Sequence, residues 1–301
     1  MILSKNRFGQ LNPKIKVLDK GEATLLDVMP RLVEDGQTCD SAIAQMARTS
    51  YQKGTKTLND DKTLIRHLMR HRHTSPFEGV EFKFFIKLPI FTQGQFIRHR
   101  TFSVNQESAR YSVIHDDFYI PEKLRKQSVT NKQGSSNEEL DENQKYVDLI
   151  HSHCKETYEK YEMLLNKGAS REQARMILPQ NIYTSCIYKM DAHNLLHFLA
   201  LRCDGHAQQE IREYANAVLK LVTPLIPWTI EAWNEYHPMR DAMIFTQKEC
   251  EKLADIMSYF KTDEQAATTY DINLNSGNKR EDAEWIEKMK KMLEIYHKNI
   301  E

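Results

Sequence analysis

Val80-Glu81-Phe82-Lys83-Phe84-Phe85-Ile86-Lys87-Leu88-Pro89-Ile90 decides how the rest of this chain is read. Val80, Phe82, Phe84, Ile86, Leu88 and Ile90 alternate with Glu81, Lys83 and Lys87, and Phe85 is the single break. Successive side chains of a strand point to opposite faces, so one apolar set at a period of two means a strand buried on one side. Pro89 has no amide hydrogen for a ladder and marks the end of the strand or an edge.

Outward from that strand the period becomes helical. Leu64, Ile65, Leu68 and Met69 share one helix face, which predicts a helix over residues 61–73. Earlier, a helix is expected from Asp40 to Arg48 and a short strand from Ile15 to Leu18. Later, a short helix carries Gln95 to Arg100, and residues 101–121 read as extended up to Pro121. Residues 125–144 are polar and read as a surface insertion. Tyr146 to Lys167 is helical and stops at Gly168. Ser170 and Gln173 form a capping box for a helix ending before Pro179. Asp191 caps a helix through Arg202, another runs from Ala207 to Val222, and Pro227 opens one through Trp233. Beyond Pro238 the chain is charged, with a loop around residues 273–278 and a helical stripe of Trp285, Met289, Met292 and Tyr296. Sheet with many helices makes the fold α+β or mixed α/β.

The 301 residues suffice for one large domain or two small ones. Lys plus Arg and Asp plus Glu are both 42, so no global charge attracts nucleic acid or an anionic membrane. Cys39, Cys154, Cys186, Cys203 and Cys250 are odd in number and contain no CxxC, a pattern that points to the reducing cytoplasm. The polar stretch Met1 to Lys16 has no signal-peptide core, and the longest apolar run, Phe198 to Leu201, is too short to span a membrane. The glycines are isolated, so neither GxGxxG nor a phosphate loop is present. His67, His71 and His73 have spacing that zinc tolerates, but Arg66, Arg70 and Arg72 surround them and no metal site is expected.

The densest chemistry lies just after the strand. Arg98-His99-Arg100 is followed, seven residues on, by Ser108-Ala109-Arg110-Tyr111. Guanidinium groups offer planar paired donors to phosphate. If the backbone from Gln106 is extended, Gln106, Ser108 and Arg110 point the same way and form a donor row suited to a nucleotide. A solvated charged loop or a basic RNA-binding module would use the same residues, the latter with salt-dependent affinity.

The order of residues resembles a specific family. Arg98-His99-Arg100, seven residues, then Ser108, Arg110 and Tyr111 is similar to the signature of flavin-dependent thymidylate synthases (the ThyX family). His73-Thr74-Ser75-Pro76-Phe77-Glu78 resembles the segment before that family's central strand. Arg175-Met176-Ile177-Leu178-Pro179 with Tyr183-Thr184 resembles its second block. His197 to Arg202 followed by His206-Ala207-Gln208 and Glu210-Ile211 resembles its third. The likeness covers roughly residues 15–236.

The resemblance implies an α+β fold with a central, mainly antiparallel sheet flanked by helices. It implies a catalytic domain over 1–238, with the polar insertion at about 125–144, and a charged, partly helical extension over 239–301. The implied reaction is reductive methylation of dUMP to dTMP, with methylenetetrahydrofolate as carbon donor and FAD reduced by NADPH. The implied assembly is a cytoplasmic homotetramer with shared active sites. Ser75, Arg98, His99, Arg100, Gln106, Asp191, His193 and His197 would contact FAD. Gln95, Arg98, Gln106, Glu107, Ser108, Ala109, Arg110, Arg175 and Arg202 would hold dUMP, with Arg202 as the catalytic residue. His73 and Tyr111 are candidates for the folate and nicotinamide side. Gln106 stands where many members have Glu, and Asp191 and His193 where Asn and Arg are expected. A cysteine-dependent thymidylate synthase is the other enzyme reading, but no Pro-Cys nucleophile is present. His197 and Arg202 are five residues apart, which on a helix separates them by about 140°, so one compact pocket does not follow from helix geometry.

Overall fold

The computed structural model describes residues 2–5, 11–31, 37–50, 60–129, 132–238, 243–260 and 285–288. They belong to two compact units, Met1–Arg240 and Asp241–Glu301. Among the described residues no helix is long and apolar enough to cross a membrane.

Six strands of the first unit make one sheet: β1 (Ile2–Lys5), β2 (Leu11–Val17), β3 (Gly21–Met29), β4 (Glu81–Pro89), β5 (Ser103–Gln106) and, after a separate hairpin of β6 (Arg125–Gln127) and β7 (Ser135–Glu139), β8 (Tyr183–Asp191). Their order in space is β1-β2-β3-β4-β8-β5, with every neighbouring pair antiparallel. The α+β class is therefore as expected. The alternating strand, β4, lies in the interior of the sheet, between β3 and β8, and Pro89 is its end. The alternation works as read: Phe82, Phe84, Ile86 and Leu88 have no exposed surface. Each buried side chain of that size contributes about 2 kcal/mol. Opposite them β8 supplies Met190, Tyr188 and Cys186 in register.

The helices of this unit are α1 (Asp40–Arg48), α2 (Asp61–Arg70), α3 (Ile90–Phe96), α4 (Asn143–Asn166), α5 (Arg171–Ala174), α6 (Ala192–Arg202), α7 (Gln209–Val222) and α8 (Pro227–Tyr236). Phe96 of α3 joins them to the sheet, its ring 5.1 Å from Tyr188 and 4.8 Å from Phe198 of α6. Gly21 is forced by close approach: a Cβ there would collide with the Tyr214 hydroxyl and lie 2.7 Å from the Val17 carbonyl oxygen. Asp40 of α1 is wholly buried and caps another helix. Its carboxylate accepts from the amides of Trp228 and Thr229 at 2.8 and 3.1 Å and from the Thr229 hydroxyl at 2.6 Å, which satisfies the open N-terminus of α8.

Several expectations are corrected. The helix expected over 61–73 stops at Arg70, because Arg72 takes a left-handed φ of 57° and the amides of Arg72 and His73 fold back on Met69 and Leu68. The helix expected around Gln95 to Arg100 starts at Ile90, directly after Pro89, and ends at Phe96. Only Ser103–Gln106 of residues 101–121 is strand, since the Ser108 carbonyl accepts from the amides of Tyr111 and Ser112 and closes a turn. Gln106, Ser108 and Arg110 thus do not form an extended row. The polar insertion is the β6-β7 hairpin, and α4 starts at Asn143. Ser170 and Gln173 meet through their side chains at 3.4 Å, but Ser170 makes no side-chain bond to the helix backbone. β1, β3 and β8 are strands that were not expected, and of the strand expected over Ile15–Leu18 only Ile15 to Val17 lie in β2, Leu18 beginning the turn that follows.

In the second unit, Gln247–Phe260 forms α9 and residues 285–288 are helical. Lys288 Nζ lies 2.7 Å from Glu249 Oε1. Met289, Met292, Tyr296 and the loop around 273–278 lie outside the described residues.

Candidate active site

The chain leaves β5 at Gln106 and turns at once. In that turn the Arg110 amide donates to the Ser108 hydroxyl at 3.3 Å. The turn forms one wall of a cavity of about 360 Å³, to which it gives Gln106, Glu107, Ser108 and Ala109. Arg175, from the short 3-10 turn after α5, lines it too, as do Thr184 and Ser185 of β8, which are hydrogen-bonded to the turn itself. Lys87 and His115 add further polar groups, and Ile90, Leu178 and Ile182 supply apolar surface. The cavity combines polar groups with a comparable share of apolar surface, which suits a nucleotide monophosphate.

Gln106 is held from behind. Its amide nitrogen donates to Thr184 Oγ1 at 3.1 Å, and its carbonyl oxygen accepts from buried Gln93 at 3.4 Å. Arg110 stands beside the cavity, 3.4 Å from the Glu172 carboxylate, while Arg175 Nε donates to the Glu172 carbonyl oxygen at 3.4 Å. Glu172, absent from the sequence-derived set, thereby touches two of the arginines expected to hold dUMP. Its contact with Arg110 joins segments far apart in the chain, so no local sequence signal marked it.

His193 and His197 of α6 line a second cavity, of about 410 Å³, with an apolar floor of Leu68, Phe77, Leu196 and Trp233. Thr74, next to Ser75, is on its wall, and Arg72 is on its rim. The Asp191 carboxylate is engaged locally: one oxygen caps α6 through the Asn194 amide at 2.9 Å and the other accepts from the Asn194 side chain at 2.7 Å. His73 is exposed, its ring 5.9 Å from His67 and 6.2 Å from His71. Among the described residues no group of three or more His, Cys, Asp or Glu is arranged to hold a metal ion.

His99 links the signature to α6. Arg202 Nε donates to His99 Nε2 at 3.0 Å, and the His197 ring lies 6.3 Å from that of His99. His197 and Arg202 therefore converge on a common neighbour despite their angular separation, because the long Arg202 side chain reaches back from the last residue of the helix. Burial, with the adjacent Arg202 and His197, pushes the His99 imidazole down to about 4. Arg98 and Arg100 are exposed on either side of it.

Gln95, Arg98, Arg100 and Arg202 line neither of these two cavities, and Tyr111 is 82% exposed. The expected site residues therefore fall into two groups on one chain: the Ser108 turn with Arg175 on one cavity, and the α6 histidines with the Ser75 segment on the other, to which His99 joins the Arg98–Arg100 turn and Arg202.

The model of the family described as thymidylate synthase complementing protein matches residues 31–228. The chain is 46% identical over 281 residues to a flavin-dependent thymidylate synthase of Dictyostelium discoideum, covering 92% of this chain and 86% of that one. It is 49% identical over 222 residues to one of Thermus thermophilus, covering 74% and 78%. A crystal structure of a UMP/dUMP methylase from Streptomyces cacaoi bound with 5-Br dUMP superposes with a TM-score of 0.65 at 31% identity, covering 76% of this chain and all of that one. The chain belongs to the flavin-dependent thymidylate synthase family.

Proposed function

We infer that this chain methylates dUMP to dTMP with a flavin as its redox cofactor. The observation that carries the reading is the cavity walled by Gln106, Ser108, Ala109 and Arg175, in a chain nearly half identical to flavin-dependent thymidylate synthases over most of its length. A structural neighbour bound with 5-Br dUMP supports a uracil nucleotide as substrate. The Ser108 turn and Arg175 hold its phosphate and sugar in our proposal, with Arg110 reaching in from beside Glu172.

The residues suit FAD. Arg98 and Arg100 are exposed guanidinium groups on one turn, matched to a diphosphate. The α6 cavity pairs an apolar floor with His193 and His197, matched to a flat ring with polar edges. Ser75, Arg98, His99, Arg100, Gln106, His193 and His197 would hold the cofactor. Asp191 would act through the capped end of α6, because both its oxygens are occupied. The chemistry a bound FAD supplies is hydride transfer, with NADPH as reductant and methylenetetrahydrofolate as the carbon source. His73 and Tyr111, both exposed, remain free to meet those co-substrates.

The protein's own work is orientation and electrostatics. Methylation at C5 needs negative charge on the uracil ring. A guanidinium stays protonated at any working pH, so Arg202 stabilises that charge by charge-assisted hydrogen bonds. Its Nε is committed to His99, which leaves the two terminal amino groups for substrate. The cysteine-dependent alternative is disfavoured: none of the described residues lining the Ser108 cavity is a cysteine, and burial pushes the Cys186 thiol up to about 11. Zero net charge weighs against the RNA-binding alternative.

The separation of the expected residues into groups on one chain supports a homotetramer with shared active sites. Exposed Ile97, Val104, Val113, Met176 and Ile187 offer apolar surface for such contacts. Residues 1–238 would suffice for catalysis, in the cytoplasm, with 239–301 as an accessory extension. Titration of flavin-free protein with FAD, followed by flavin fluorescence, tests the cofactor assignment. Saturable binding at low-micromolar concentration or tighter is expected, and folded protein that shows none would overturn it.

A further inference from the structure

The β6-β7 hairpin is tied to an expected substrate residue by a continuous line of polar side chains. Arg125 of β6 donates from Nε to the Ser135 hydroxyl of β7 at 2.8 Å and from Nη2 to Glu210 Oε1 at 3.1 Å. Glu210, at the start of α7, is only 6% exposed, so its carboxylate depends on these partners. Its other oxygen accepts from Gln208 Nε2 at 2.7 Å. The Gln208 carbonyl oxygen in turn accepts from the Gln95 amide nitrogen.

The order of donors along this line is fixed by chemistry. A carboxylate held by a guanidinium can only accept, so Gln208 must turn its NH2 group toward Glu210 and its oxygen toward Gln95. Gln95 must then donate toward Gln208, which leaves its own carbonyl oxygen outward. A glutamine side chain otherwise presents either end at nearly equal energy. The line removes that choice and makes Gln95 an acceptor.

We propose that Arg125, Glu210 and Gln208 are positioning residues that orient Gln95 to accept a hydrogen bond from a donor group of the nucleotide, so that the hairpin insertion serves substrate binding. The proposal rests on the reading of Gln95 as a dUMP contact. Gln208 is exposed, so it can be changed without opening the core.

The test uses the full-length, FAD-loaded enzyme with Gln95→Leu, Gln208→Leu, the double variant, and Glu210→Gln. Loss of one oriented hydrogen bond should raise KM for dUMP about 3- to 10-fold in each single variant, with kcat and flavin content within twofold of the parent. The double variant should be no worse than Gln95→Leu alone, because both changes remove one interaction. If Gln95→Leu leaves KM unchanged, Gln95 is not a substrate contact and the underlying reading fails. If Gln95→Leu raises KM but Gln208→Leu does not, or if the two effects multiply, the positioning role is overturned. Should Glu210→Gln fold poorly, the Gln95 and Gln208 cycle still decides the matter.

Discussion

Arg202 Nε donates to His99 Nε2 across 3.0 Å, joining the last residue of α6 to the middle of the Arg98-His99-Arg100 turn. For the imidazole to accept there it must be neutral and carry its proton on Nδ1. The pair thus fixes both the direction of the guanidinium and the tautomer of the ring, and it brings the expected catalytic arginine against the expected flavin-binding turn.

Arg202→Ala should abolish activation of the substrate while sparing the redox half of the reaction. FAD binding and NADPH oxidation are expected to survive, and dTMP formation at saturating dUMP should fall about 10²- to 10³-fold. Arg202→Lys keeps the charge but loses the planar Nε donor to His99, so an intermediate loss is expected. Methylation within a fewfold of the parent in the alanine variant would exclude Arg202 as the activating residue.

The depressed His99 pKa makes stability depend on pH in a defined window. The folded ring titrates at about 4 instead of the usual 6.5. Between those values the unfolded chain binds more protons, so stability rises with pH there. The contribution of neutral His99 is complete above about pH 6.5 and is lost as pH falls toward 4. Melting temperatures from pH 7 to 4 should fall more steeply in the parent than in His99→Phe. Parallel curves would show that His99 is not the titrating group.

Asp40 offers a test of the scaffold apart from the chemistry. It has no exposed surface and takes the first amides of α8. Asp40→Ala should cost about 2 to 4 kcal/mol by chemical denaturation, as expected for lost buried acceptors. Asp40→Asn, which keeps one oxygen, should cost less. Equal stability of the alanine variant and the parent would mean that α8 is capped in another way.

How much could be read from the chain beforehand follows from where its signals are local. β4 was plain because six apolar residues alternate with three charged ones. α1 was found to the residue, and the Asp191 cap of α6 appeared as expected, since capping is decided within four residues. β8 was missed although Thr184, Cys186, Tyr188 and Met190 are buried in alternation: small and polar residues occupy buried positions, and only pairing with β4 shows why. β3 hid its period behind a bulge between Leu25 and Asp27. In the site, Ser108 and Arg175 were legible as motif residues, and the structure puts Ser108 and Arg175 on one cavity. Glu172, Gln93 and Gln208 were not, because their parts depend on neighbours that tertiary structure alone brings together.

Removal of the second unit tests its part in catalysis. A chain ending at Arg240, the last residue of the first unit, should load FAD and form dTMP at a rate comparable to the full-length chain. A stable, FAD-loaded but inactive truncation would assign a catalytic part to residues 241–301.

The central claim is flavin-dependent methylation of dUMP, and it is met most directly by one titration. Flavin-free protein is supplied with dUMP, methylenetetrahydrofolate and NADPH, and dTMP formation is measured as FAD is added. The account predicts no product without FAD and a rate that rises with flavin occupancy to saturation. Product formed at full rate by flavin-free protein, or none formed by protein saturated with FAD, would contradict it.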